Sequence, residues 1–128
     1  MKRVRFIEHR GTSILLEDFR EMRYGEEFLD LLEQAKKMIR SQPEATVLTL
    51  LDVTGTRYNV EMANQIKHFA DGNKPYVRAG VVVGLTGTTE LVLKAVSLFT
   101  RRNFITFDAL KDAKDWLAEE YALETALT

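Results

Sequence analysis

Two stretches of the chain, TVLTLLDV at 46–53 and VRAGVVVGL at 77–85, are apolar at nearly every position. Strands of this kind are covered on both faces, because a face open to water would place a polar side chain at every second residue. Each is followed by a segment with helical periodicity. A helical crossover between such strands makes them parallel, and the connection is right-handed. This feature predicts an α/β domain in which helices pack on a mixed sheet of about five strands.

The remaining segments fit that frame. RVRFIEH at 3–9 alternates polar and apolar side chains, TSILLED at 12–18 is a second short apolar run, and the glycine between them suits a hairpin turn. Phe28, Leu31, Leu32, Ala35, Met38 and Ile39 recur at spacings of three and four, with Glu33, Lys36, Lys37 and Arg40 on the opposite face. Ser-Gln-Pro at 41–43 ends that helix. A second helix is predicted from Asn59 to Ala70, with Ala63, Ile66 and Ala70 inward, Phe69 nearby, and Asp71-Gly72-Asn73 as its stop. A third, Thr89 to Arg102, is expected to bury Leu91, Val92, Ala95, Val96 and Phe99. FITF at 104–107 reads as a last strand, Asp108 as an N-cap, and Leu110, Ala113, Trp116, Leu117 and Tyr121 as the inner face of a last helix. The order is β-β-α-β-α-β-α-β-α, in a single domain over residues 1–128.

Composition narrows the function. At 128 residues the chain can bury about two thirds of its unfolded surface and needs no covalent or metal staple. It has no cysteine, which excludes thiolate metal sites, thiol catalysis and disulfides. A formal net charge of −1 provides no general attraction for nucleic acid. No run approaches the roughly 20 apolar residues that span a bilayer, and MKRVRFIEHRG lacks the apolar core of a secretory signal. A cytoplasmic protein without stable membrane insertion is the expectation. His9 and His68 lie on different elements with no metal-ligand spacing, so neither a metal nor a cofactor is expected.

Candidate chemistry lies where the two central strands end. Asp52 precedes Thr54-Gly55-Thr56 and Arg57, and the next strand runs into Thr86-Gly87-Thr88. In an open α/β sheet ligands bind beyond these strand ends. Free N–H groups, hydroxyls and a helix N-terminus there would form an anion cradle. The alternative is that the threonines and Asn59 cap helices. LDVTGT also resembles the Asp-x-Thr-Gly-Thr phosphorylation loop of ion-pumping ATPases. Phosphoryl transfer needs a lysine and further carboxylates for magnesium, yet Val53 stands where the pumps have lysine, and no acidic pair follows a later strand. No catalytic residue is therefore assigned, and a small phosphotransferase or hydrolase using Asp52 remains the alternative.

VLTLLDVTGTRY at 47–58, KPYVRAGVVVGLTG at 74–87 and FITFDALKDAKDWL at 104–117, in this element order, resemble the STAS/SpoIIAA-like family of anti-sigma factor antagonist relatives. That fold is compared with Sec14-type lipid-binding domains. The resemblance covers nearly the whole chain and implies a non-catalytic regulatory or binding module, with a protein partner or small ligand, plausible as a homodimer. It also implies a structural role for Asp52, at the position of Leu-Asp-Leu-Ser-Gly-Val-x-Phe in an antagonist. Antagonists carry a phosphorylated serine in an Asp-Ser-Ser-Gly stretch, whereas here Val60-Glu61-Met62-Ala63 holds no hydroxyl. The implied module is an unswitched one, and lipid carriage is a further alternative.

Two more segments bear on partners. In EDFREMRYGEEF at 17–28, Phe19, Met22 and Tyr24 alternate with Arg20 and Arg23, either packing over the sheet or forming a partner surface rich in aromatic residues and arginine. Lys94, Arg101 and Arg102 read as cations complementing a helix C-terminus, the alternative being a lipid-phosphate or nucleic-acid patch that the overall charge does not help, and Trp116 reads as core or dimer interface.

Overall fold

The structure is a computed structural model that describes residues 2–127, with side chains described for residues 2–122. Strand β1 (Val4–His9) turns through Arg10-Gly11, both at positive φ, into β2 (Thr12–Asp18). Two-residue hairpin turns favour that geometry because it matches the strand twist. Helix α1 (Glu26–Arg40), β3 (Val47–Asp52), α2 (Val60–Asn73), β4 (Val77–Val83), α3 (Thr88–Thr100), β5 (Ile105–Phe107) and α4 (Leu110–Leu127) follow.

The five-stranded sheet has the order β1-β2-β3-β4-β5. Strand β1 is antiparallel to β2, and all later neighbours are parallel. From β2 onward each strand is laid on the same side of its predecessor. Right-handed crossovers then place α1, α2 and α3 on one face, leaving the other to α4. Side chains divide accordingly: Leu15 and Val82 join Phe28, Ile39, Met62 and Val96, whereas Ile14, Leu16, Leu50 and Val81 join Ala113 and Leu117.

Among the described residues, four helices and five strands appear in the expected order, with local corrections. Helix α2 continues through Asp71-Gly72-Asn73. Arg40 lies against Gly72 and donates from Nε to the buried Asn73 Oδ1 at 3.0 Å, so this segment is held in the helix until Lys74-Pro75. Helix α3 is rotated from its predicted face. Thr89, Val96 and Thr100 are buried and Val92 and Leu93 half-buried, while Leu91, Ala95, Leu98 and Phe99 face outward. Its apolar residues lie on almost every side, so periodicity could not select the buried one. Asp108 lies two residues before α4 instead of at its cap position. Trp116 packs within its own chain, between Phe107 and Tyr121 at 6.0 and 6.2 Å.

Gly84, at the end of β4, has φ 85°, and a Cβ there would meet the Thr54 backbone at 2.9 Å. Gly11, at φ 80°, has open space around it. Gly84→Ala therefore combines left-handed strain with overpacking, with an expected loss of about 2–4 kcal/mol. Gly11→Ala should lose only about 1–2 kcal/mol. Urea denaturation of the two variants tests the difference.

Candidate functional site

The two Thr-Gly-Thr turns stand side by side, as neighbouring strands require, with Thr54 packed against Gly84. At the first turn the polar groups bond within the chain. Buried Asp52 accepts at Oδ1 from the Thr54 N–H at 3.0 Å and the Thr54 hydroxyl at 2.7 Å. The buried Thr56 hydroxyl donates to the Phe19 carbonyl and accepts from the Met22 N–H at 3.2 Å. Backbone bonds from Phe19 N to Asp52 O, Glu21 N to Thr54 O and Arg57 N to Met22 O, at 2.9, 2.9 and 3.0 Å, lay residues 19–22 alongside the first turn. Arg57 is exposed beside it.

Neither turn caps a helix with a threonine hydroxyl. Asn59 caps α2 by accepting from the Met62 N–H at 2.9 Å. Gly87 occupies the N-cap of α3 with no side-chain bond, and the Thr86 N–H and carbonyl are both tied to the Thr89 hydroxyl, at 2.8 and 2.7 Å. Thr86, Gly87 and Thr88 are exposed. The predicted partner segment also divides. Phe19 and Met22 are core residues, Arg20 is paired through Nε and Nη2 with Asp18 at 2.8 and 2.9 Å, and Arg23 and Tyr24 face outward.

Sequence reasoning missed a site built around Glu17. Glu17 lies on β2 in phase with Leu15, so its carboxyl points under α1–α3 where an apolar residue belongs. It is 3% exposed, and its Oε2 has no hydrogen-bond partner among the described residues. Burial pushes its pKa up to about 8, against the opposing pull of Arg102.

Arg102 reaches this site because Arg101 ends α3 in the left-handed conformation and turns the chain back over the sheet. Its Nη1 donates to the Ala70 carbonyl at 2.9 Å, and its guanidinium lies 4.6 Å from the centre of the Phe104 ring. Gly80 leaves room for it: a Cβ there would come within 3.2 Å of Nη2. Burial lowers the Arg102 pKa although Glu17 raises it. Burial, aided by the Glu17 charge, raises the Tyr58 pKa. Glu17, Arg102 and Thr49 line a cavity of about 50 Å³ whose other walls include Ile66, Val82 and Val96. A charged residue at the end of TSILLED looks like a strand leaving the core. The signal that could have found it is its even spacing from Leu15.

The third feature is the outward surface of α3. Leu91, Leu98 and Phe99 are 67%, 79% and 48% exposed, and Val60 at the start of α2 is 73% exposed. Lys94, Ala95 and Arg101 share this surface. Lys94 and Arg101 form no ion pair among the described residues, and the Lys67 ammonium lies 5.7 Å from the Phe99 ring centre. The two histidines are apart: His9 Nε2 is 2.7 Å from Asp115 Oδ1 on α4, and His68 packs edge-on to Phe99. Among the described residues no helix is long and apolar enough to cross a membrane.

No protein-family model, curated protein or solved structure matches the chain.

The Glu17 acid gives stability a definite pH dependence. Its folded pKa, about 8, lies above the ordinary 4.5, so the folded state retains a proton that the unfolded state releases between these values. The resulting stabilisation is fully present below pH 4.5 and is lost as pH rises through about 8, a change on the order of a few kcal/mol. Glu17→Gln should flatten that decline and be more stable than the native chain above pH 8. Urea midpoints across the pH range test this.

Proposed function

We propose that this protein is a non-catalytic binding module of STAS/SpoIIAA-like type that engages another protein through the outward face of α3. The observation that carries this reading is the exposed apolar group Leu91, Leu98 and Phe99. Small domains seldom leave large apolar side chains clustered in water except where a partner covers them.

The charges around it favour a partner helix that is apolar on one side and acidic at its margins. Lys94 and Arg101 flank the leucines, with Glu90 the acidic residue at the N-terminal end of the helix. An amphipathic helix laid along α3 would bury the leucines and supply carboxylates to both cations. The element order supports the family resemblance. The absence of a hydroxyl at 60–63 supports constitutive engagement, since a phosphate cannot be added there.

The alternatives have less support. Asp52 Oδ1 is occupied by Thr54, which disfavours a phosphoryl acceptor. The cavity of about 50 Å³ is far below the roughly 300 Å³ at which pockets for drug-sized ligands begin, which disfavours lipid carriage.

Selection from a displayed library of amphipathic helical peptides tests the proposal. Selected peptides should be rich in Asp and Glu beside an apolar stripe, and should bind the Leu91→Ser/Leu98→Ser variant roughly tenfold or more weakly. Binders indifferent to that double substitution would overturn the reading. So would concentration-dependent dimerisation in sedimentation that the same substitutions abolish, because the occupant would then be a second copy.

A further inference from the structure

A combination under α2 and α3 is left unused by any partner docked on the outer face of α3. Glu17 Oε2 is buried without a hydrogen-bond partner among the described residues, which leaves the desolvation cost of that oxygen uncompensated. Arg102 borders the same space. Its side chain donates one hydrogen bond among the described residues, from Nη1 to Ala70, so most of the guanidinium N–H groups have no protein acceptor there. Both groups therefore have unmet hydrogen-bonding capacity and border one cavity.

We propose that this cavity binds a small monocarboxylate, whose two oxygens take hydrogen bonds from the Arg102 guanidinium and the Glu17 carboxyl while its short alkyl tail lies among Ile66, Val82 and Val96. The charge balance selects a monoanion. A neutral Glu17 beside a cationic, half-buried Arg102 leaves one positive charge at the cavity wall, and withdrawing an uncompensated charge from water is costly. A dianion would exceed that charge, and a neutral molecule would leave it. A planar carboxylate also fits the fork of a guanidinium. The size selects a short chain. About 50 Å³ is several times the roughly 10–15 Å³ required by one water, enough for a molecule of a few heavy atoms.

The site should respond to pH through Glu17. Arg102, from the loop after α3, acts on Glu17, and Glu17 in turn acts on Tyr58, from the loop after β3. Burial keeps the Tyr58 phenol neutral beyond its ordinary range, so Glu17 is the group that changes state near pH 8. Once ionised, it repels an anion in the cavity.

The test is a methyl NMR titration of the full chain with sodium acetate and sodium propionate, with propionamide and inorganic phosphate as comparisons. Saturable shifts of the Ile66, Val82 and Val96 methyls are expected for a carboxylate below pH 8, with affinity falling about tenfold per pH unit beyond that point. Arg102→Gln should weaken binding roughly tenfold or more. If that variant fails to fold, Glu17→Gln carries the test: its amide still donates, so binding should persist and lose its pH dependence. The proposal is overturned if neither carboxylate shifts these methyls saturably, if propionamide or phosphate binds as tightly, or if Glu17→Gln retains the native pH profile.

Discussion

The right-handed crossover governs most of the layering in this molecule. Because β2, β3, β4 and β5 are laid down in sequence order across the sheet, the helices between them are all directed to one face. That face becomes a deep layer in which side chains from α1, α2 and α3 meet the odd-numbered positions of β2 and β3. The opposite face receives a single helix, α4, which closes over Ile14, Leu16 and Leu50 with Ala113 and Leu117. The asymmetry places Glu17 far from water and leaves Leu91 and Leu98 exposed on the outer side of α3.

Glu17 and Arg102 illustrate how burial competes with attraction. Opposite charges lower each other's energy, but here desolvation is the larger influence on both groups, so Glu17 is shifted toward its neutral form and the Arg102 pKa is lowered. The chain holds Arg102 in place by other means, through the Ala70 carbonyl, the Phe104 ring and the space left by Gly80. Polar groups held this way and left incompletely bonded are often found where something else binds.

The strand ends show the reverse arrangement. Residues 19–22 extend the line of β2 beside residues 52–57, and Thr56 joins the two segments at the Phe19 carbonyl and the Met22 N–H. At the first turn the Thr54 N–H and the Thr54 and Thr56 hydroxyls, which looked available for an anion, are consumed by this local network. Thr86, Gly87 and Thr88 stay exposed, and Leu91, Leu98 and Phe99 with Lys94 and Arg101 lie open along α3. The segment that most resembles a catalytic loop, residues 52–57, thus serves to close the end of the sheet.

By itself the sequence determined the element order, the parallel central strands and the inward faces of α1 and α4. These depend on local periodicity and on apolar runs that few other arrangements could bury. It left the neighbouring turns at the ends of β3 and β4 and the Asn59 cap recognisable, but not what lies against the first turn, because the 19–22 segment laid along it is more than thirty positions away in the chain. Which side of α3 is buried was beyond it for a related reason: a helix apolar almost all round acquires an inside only when a sheet and a neighbour are set against it. Glu17 was hidden in the same way. A glutamate after two leucines reads as the exit from a strand, and only the continued pairing through Asp18, with three helices packed above, turns that position into the interior. Tertiary structure decides such cases because burial belongs to the packed layer, and no single segment carries a record of what will be laid over it.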